Sequence, residues 1–266
     1  MRKTVSIVLV VSGLAAGCMG GDGEEAGPSA SAPQATSTAG PPAPEPPSSF
    51  AAEPAPFEVV LTWEPPTEDV ERFELFRDGA RLATQSGSAS SYTDDDVVPG
   101  QVYDYQIASA TDELVTTRVN VSTKTPVPPL RAARLEGTFN IATRFTSKTG
   151  YGDYSRPSYG WRFVPRCREG PCNVAWRDIH DTGFRSRLER QGSRYRGTYT
   201  GEIGMECETA PMTTTIDVDL RVVAAEALDG EWIATRLRGT IDQTDAAQLG
   251  CRSGAATMAV RARLAR

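Results

Sequence analysis

Three observations predict an all-β chain with two folded regions behind a biased leader. From 57 to 125, apolar and polar residues alternate in short runs separated by turn signals. From 135 to 266 the same period-two alternation recurs so regularly that eight strands can be written down. Neither stretch carries the 3.6-residue apolar period of an amphipathic helix. The expected organisation is a signal peptide at 1–17, a disordered tether at 18–55, a β-sandwich at 56–126, a linker at 127–134 and an antiparallel barrel-like domain at 135–266.

The leader sets the compartment. Arg2 and Lys3 precede an apolar run from Val5 to Ala16, too short to cross a bilayer as a helix and suited to a secretory signal. Leu14-Ala15-Ala16-Gly17-Cys18 follows, and it resembles the lipobox of bacterial lipoproteins, with Ala15 where that family most often has Leu. The resemblance implies that the Cys18 thiol receives a diacylglyceryl group and becomes the mature N-terminus. The protein would then sit on the extracytoplasmic face of the bacterial cell membrane, since two acyl chains anchor stably where one is marginal. No later stretch approaches the roughly 20 apolar residues of a membrane helix. Met19 to Pro54, rich in Pro, Ala, Ser, Thr and Gly, has almost nothing to bury and reads as an extended tether. As a flexible coil it spans roughly 30 Å.

In the first folded region Phe57, Val59, Leu61 and Trp63 share one face, Phe73, Leu75 and Arg77 a second, and Tyr103, Tyr105 and Ile107 a third. Glu-Pro-Pro, Asp78-Gly79 and Pro99-Gly100 punctuate them as turns. Leu61-Thr62-Trp63-Glu64-Pro65-Pro66 and Val97-Val98-Pro99-Gly100-Gln101-Val102-Tyr103 resemble the second strand and the tyrosine corner of a fibronectin type III domain. That resemblance implies a β-sandwich in which Trp63 and Tyr103 are core residues, the Tyr103 hydroxyl reaching back to the backbone. Modules of this family mostly space or present their neighbours, and in bacteria they often accompany extracellular polysaccharide-processing enzymes.

Along the second folded region, inward positions collect Phe139, Ile141, Trp161, Phe163, Val174, Trp176, Leu188, Tyr195, Val218, Leu220, Leu237, Met258 and Val260. The opposite face carries Arg144, Arg162, Arg177, Arg185, Arg187, Arg196, Asp217, Asp219, Arg221, Arg238, Arg261 and Arg263. Such a meander buries its apolar face by closing into a barrel or by packing on a second sheet. Eight strands close around an interior that side chains just fill, or that holds one small ligand. The charged outer face opposes a membrane barrel. Leu135-Glu136-Gly137-Thr138-Phe139 and the up-and-down order resemble lipocalin-like (calycin) barrels, without that family's Gly-x-Trp.

Of five cysteines, Cys18 is assigned to lipid, leaving Cys167, Cys172, Cys207 and Cys251. Disulfides are the default in an exported chain. A Gly-Pro turn between Cys167 and Cys172 favours a local bridge and leaves Cys207 for Cys251. Zinc competes, against a four-residue gap and a single histidine, His180. His180 lies between Asp178 and Asp181 and reads as a solvated hairpin loop rather than an acid–base group. No nucleophile elbow or phosphate-binding glycine loop is present; a paired-carboxylate glycosidase stays open.

The net charge of −6 hides an asymmetry. Residues 57–126 hold 13 acidic and 5 basic side chains, and residues 131–266 hold 21 basic and 16 acidic, with 20 of the basic residues Arg. The Gly-rich connection bearing Tyr151, Tyr154, Tyr159 and Trp161 is a candidate ligand platform. Arg185, Arg187 and Arg196 are candidates for meeting an anionic polymer. The function expected is non-enzymatic binding in the cell envelope, without cofactor, metal or nucleic acid. Partners would be the membrane through the anchor and a cell-wall polysaccharide, anionic polymer or small apolar ligand. The alternatives are an accessory or enzyme of polysaccharide processing and a purely structural envelope protein.

Overall fold

A computed structural model describes residues 44–150, 159–180, 184–207, 210–246 and 253–266. Its elements are almost all strands. In the N-terminal region, β1 (Ser48–Pro54), β2 (Val59–Glu64), β3 (Arg72–Arg77), β4 (Ala80–Ser86), β5 (Ser91–Asp94), β6 (Val102–Ala110) and β7 (Val119–Lys124) form two antiparallel sheets, ordered β1-β2-β5 and β4-β3-β6-β7. Val59, Leu61 and Trp63 of β2 meet Phe73 and Leu75 of β3 and Tyr103, Tyr105 and Ile107 of β6 in one buried core. Trp63 stacks edge-on against Phe73 at 5.4 Å between ring centroids.

One boundary differs from the sequence reading. Ser48–Pro54, assigned to the tether, is the edge strand β1, paired with β2 from Ser48↔Glu64 to Pro54↔Val59. Phe50 and Ala52 pack against the core. Two apolar side chains at alternate positions suffice at an edge, because the backbone ladder supplies the rest. In a Pro- and Ser-rich background they carry almost no periodic signal.

The turns follow their residues. Asp78 and Gly79, at φ 53° and 81°, make the two-residue connection between β3 and β4 with both residues left-handed, as an Asp-Gly hairpin requires. At Pro99-Gly100, Gly100 takes φ 82° and the Gln101 N–H donates to the Val98 carbonyl at 3.3 Å. The Val98 N–H in turn donates to the Tyr103 hydroxyl at 2.8 Å. This closes the tyrosine corner.

Between the sheets lies a buried polar group. Asp94 is 1% exposed and accepts from Arg77 Nη1 at 2.8 and 3.0 Å and from the Tyr105 hydroxyl at 2.8 Å. Burial, and then the bond to Asp94, pushes the Tyr105 hydroxyl well above the usual phenol range. Because the folded value is raised, this contribution is fully present below about pH 10 and is lost as pH rises beyond it. Tyr105→Phe should cost about 2 kcal/mol near neutrality, the scale of a hydrogen bond to a charged group. Urea midpoints at pH 7, 9 and 11 check the sign: the gap between wild type and Tyr105→Phe should narrow above pH 10, and a constant gap rejects the assignment.

The C-terminal region is a closed barrel of β8 (Gly137–Thr149), β9 (Tyr159–Pro165), β10 (Val174–Asp178), β11 (Arg185–Gln191), β12 (Arg194–Cys207), β13 (Ala210–Leu228), β14 (Glu231–Asp245) and β15 (Gly254–Leu264). Consecutive strands pair antiparallel, and β15 returns to β8 through a ladder from Ala255↔Thr149 to Leu264↔Phe139. This settles closure against the alternative two-sheet packing. Gly197 and Gly239 mark where strands press together: a Cβ at either would lie 2.2 Å from the Arg187 carbonyl oxygen or 1.9 Å from that of Asp219.

Candidate functional site

Among the described residues, side chains pack the barrel core. Phe139, Phe163, Trp161, Trp176, Phe184 and Tyr199 form a continuous file of ring contacts, with centroids 4.1 to 6.4 Å apart and mostly edge-to-face. Leu135, Leu188, Tyr195, Leu220, Met258 and Val260 pack around it. Trp161, read from sequence as a member of a loop platform, is 4% exposed and belongs to this core. It sits on β9 opposite Phe139 and Asp178, so its ring follows the inward alternation of its strand.

The linker seals one side of this core. After the 3-10 turn Leu130–Ala132, Ala133 and Leu135 are buried with the barrel residues. Between them Arg134 bridges in parallel to Ile233, its N–H donating to the Trp232 carbonyl at 2.8 Å. The Arg134 side chain, 11% exposed, donates to the carbonyls of Cys167, Arg168 and Gly170 and pairs with Glu136 at 2.7 Å. Cys167 and Cys172 are joined as a disulfide, as expected, so Arg134 ties the linker to the bridged loop. That bridge also removes two of the four ligands that a zinc reading needs. The pairing of Cys207 with Cys251 falls outside the described residues, as do Tyr151 and Tyr154. Tyr159 opens β9 opposite Ile141. His180 is exposed, its backbone N–H donating to Asp178 Oδ1 at 2.8 Å.

The outer wall carries the charge. Arg177 and Arg185 are direct partners between β10 and β11, and Arg187 lies opposite Ala175. Arg196 lies between Glu189 of β11 and Asp219 of β13, with Nε 2.9 Å from Asp219 Oδ2. A shallow groove of about 510 Å³ passes Arg187 and Arg196, but its wall also holds Glu189, Asp217, Asp219 and Asp242. Of the three arginines chosen from sequence, Arg187 and Arg196 are therefore mixed with acids, whereas Arg185 faces Arg177. Strand register lines up another row: Arg194, itself paired with Asp219, faces Arg221, Arg221 faces Arg238, and Arg238 faces Arg261 across β12, β13, β14 and β15. Arg236 and Arg263 form a second pair beside them.

The fold therefore defines an all-β protein of two regions: a three-on-four sandwich joined to a closed eight-stranded barrel with an aromatic core inside and arginines outside. No family model matches the sequence, and no curated protein matches it. Similar solved structures include the fn3 domain of the human collagen alpha-1(XX) chain, with 20% identity, covering 35% of this chain and 94% of that one at a TM-score of 0.31. A two fibronectin type III domain segment from chicken tenascin has 10% identity, covering 80% of this chain and 98% of that one at a TM-score of 0.30. Likeness at this level says nothing of ligand or partner.

Proposed function

We propose that this chain is a lipid-anchored protein of the bacterial cell envelope, in which the sandwich serves as a spacer and the outer wall of the barrel as a non-catalytic recognition surface. The observation that carries the reading is a barrel whose core is built of its own aromatic side chains while arginine is the commonest residue at the exposed outer positions of its strands. The described rings of that core pack against one another, and this supports placing recognition on the outer wall. The anchor rests on Arg2, Lys3, the apolar run from Val5 to Ala16 and Cys18. Among the described residues, no helix is long and apolar enough to cross a membrane. Cys18→Ser should release the protein from the membrane fraction as a soluble species. Retention that still needs detergent would sink the lipid assignment.

A further inference from the structure

We propose that Arg221, Arg236, Arg238, Arg261 and Arg263 form a binding site for a linear, carboxylate-bearing polysaccharide on the outer wall of β13, β14 and β15. This deepens the recognition reading above by naming the surface and the ligand chemistry. It does not depend on the anchor.

The case begins with register. Arg221 is the direct partner of Arg238, Arg238 of Arg261, and Arg236 of Arg263, so three strands present like charges face to face at three pairings. All five side chains are exposed. Like charges directly opposite one another on a sheet are destabilising, and alternating them with acids is the ordinary remedy. The neighbouring wall uses that remedy, since Asp219 binds both Arg194 and Arg196. Among the described residues, none of the five arginines makes an ion pair or a side-chain hydrogen bond.

The borders define the shape of the ligand. Across β8, Asn140 and Ala142 face Arg263 and Arg261 and add no charge. Along β13 the nearest outward acids are Asp219 and Glu226, the first held by Arg194 and Arg196 and the second by Arg266. Along β14 the nearest is Asp242, which accepts from the Thr257 hydroxyl at 2.6 Å. The positive surface is thus a stripe running across strands, bounded at its sides by carboxylates. A groove of about 420 Å³ lies at its edge, lined by Arg194, Arg221, Arg238, Gly239 and also Asp219, the last held by Arg194.

A stripe suits a single anionic chain. Adjacent strands place one guanidinium about every 4.8 Å, close to the length of one sugar ring in an extended glycan, so successive carboxylates can meet successive arginines. The planar guanidinium fork matches a carboxylate through two parallel hydrogen bonds. A broad anionic bilayer would instead press lipid headgroups onto Asp219 and Asp242 as well. Single-stranded nucleic acid calls for aromatic stacking platforms, whereas the large apolar neighbour on this stripe is Val223, 37% exposed.

The test uses the full chain carrying Cys18→Ser, so that no lipid contributes. The probe is immobilised polygalacturonate, with neutral dextran, dextran sulfate, phosphatidylglycerol vesicles and single-stranded DNA as comparison arms. Retention on polygalacturonate is expected at low salt, falling at least tenfold between about 50 and about 200 mM salt. Replacing Arg221, Arg238 and Arg261 together by Gln should weaken it at least tenfold. Replacing Arg185, Arg187 and Arg196 together by Gln should change it by less than about twofold. Because the first triple change relieves repulsion, its melting temperature at low salt should equal or exceed that of the unsubstituted chain, which separates lost binding from lost fold. No wild-type retention at low salt, equal loss in both triple variants, or stronger binding to dextran sulfate, vesicles or DNA than to polygalacturonate overturns the proposal. None of these outcomes bears on whether Cys18 is lipidated, which membrane partitioning of the unsubstituted chain reads separately.

Discussion

Trp176→Ala is expected to remove about 3–5 kcal/mol of stability from the barrel, the range for truncating a large buried aromatic. Trp176 is fully buried, and its ring meets Trp161 at 5.0 Å and Phe184 at 4.6 Å, both edge-on. An open sheet could move inward to fill some of the hole. A barrel hydrogen-bonded all the way round, from β8 through β15 and back, cannot contract without breaking a ladder, so most of the cavity persists. Trp176→Phe should cost much less, about 1 kcal/mol. It gives up volume but also removes an indole N–H that is buried without a hydrogen-bond partner. The measurement is the urea midpoint of the barrel transition at unchanged slope. A loss below about 1 kcal/mol for Trp176→Ala would mean that the interior is adaptable rather than packed.

Much of this interior is legible in the sequence because a strand's period of two is insensitive to where its neighbours pair. Phe139, Trp161, Trp176, Leu188, Tyr195, Leu220, Leu237 and Met258 alternate with charged, polar or small residues, and all of them are buried in the barrel core. Register is a different matter, because it depends on the connections. Asp229-Gly230 is a two-residue hairpin with both φ values positive, and counting back from it places Arg221 opposite Arg238. That much of the arginine stripe carries a sequence signal, which alternation by itself does not reveal. Arg238 opposite Arg261 cannot be counted in the same way, since the connection between β14 and β15 is too long to specify a register. The bulge around Ala224 is equally hidden, as is the run Ile233, Ala234 and Thr235, three consecutive buried residues that break the alternation. Trp161 carries two sequence signals, the inward alternation of β9 and the Tyr- and Gly-rich approach that suggests a ligand platform, and its burial follows the first.

Arg77→Met is expected to destabilise the sandwich by about 3 kcal/mol, the lower end of what breaking a buried ion pair costs. The lower end applies because the Arg77 side chain is 22% exposed, whereas its partner Asp94 is 1% exposed. In the sequence Arg77 is one more residue on the Phe73 and Leu75 face, and nothing in the alternation shows that it reaches Asp94, seventeen residues away. Removing the guanidinium leaves the carboxylate among Val59, Tyr92 and Tyr105, held by the Tyr105 hydroxyl and by the Asp96 N–H at 3.2 Å. Two neutral donors do not replace a cation, so the loss comes mainly from an uncompensated buried charge. The discriminating variant therefore removes the charge as well. Arg77→Met combined with Asp94→Leu and Tyr105→Phe should recover most of the loss, because a well-packed apolar replacement of a buried pair is often neutral. Urea midpoints of the single and triple variants at neutral pH decide the matter. If the triple variant is as unstable as the single one, the cluster contributes through its shape and hydrogen bonds, and the charge account of Asp94 is wrong.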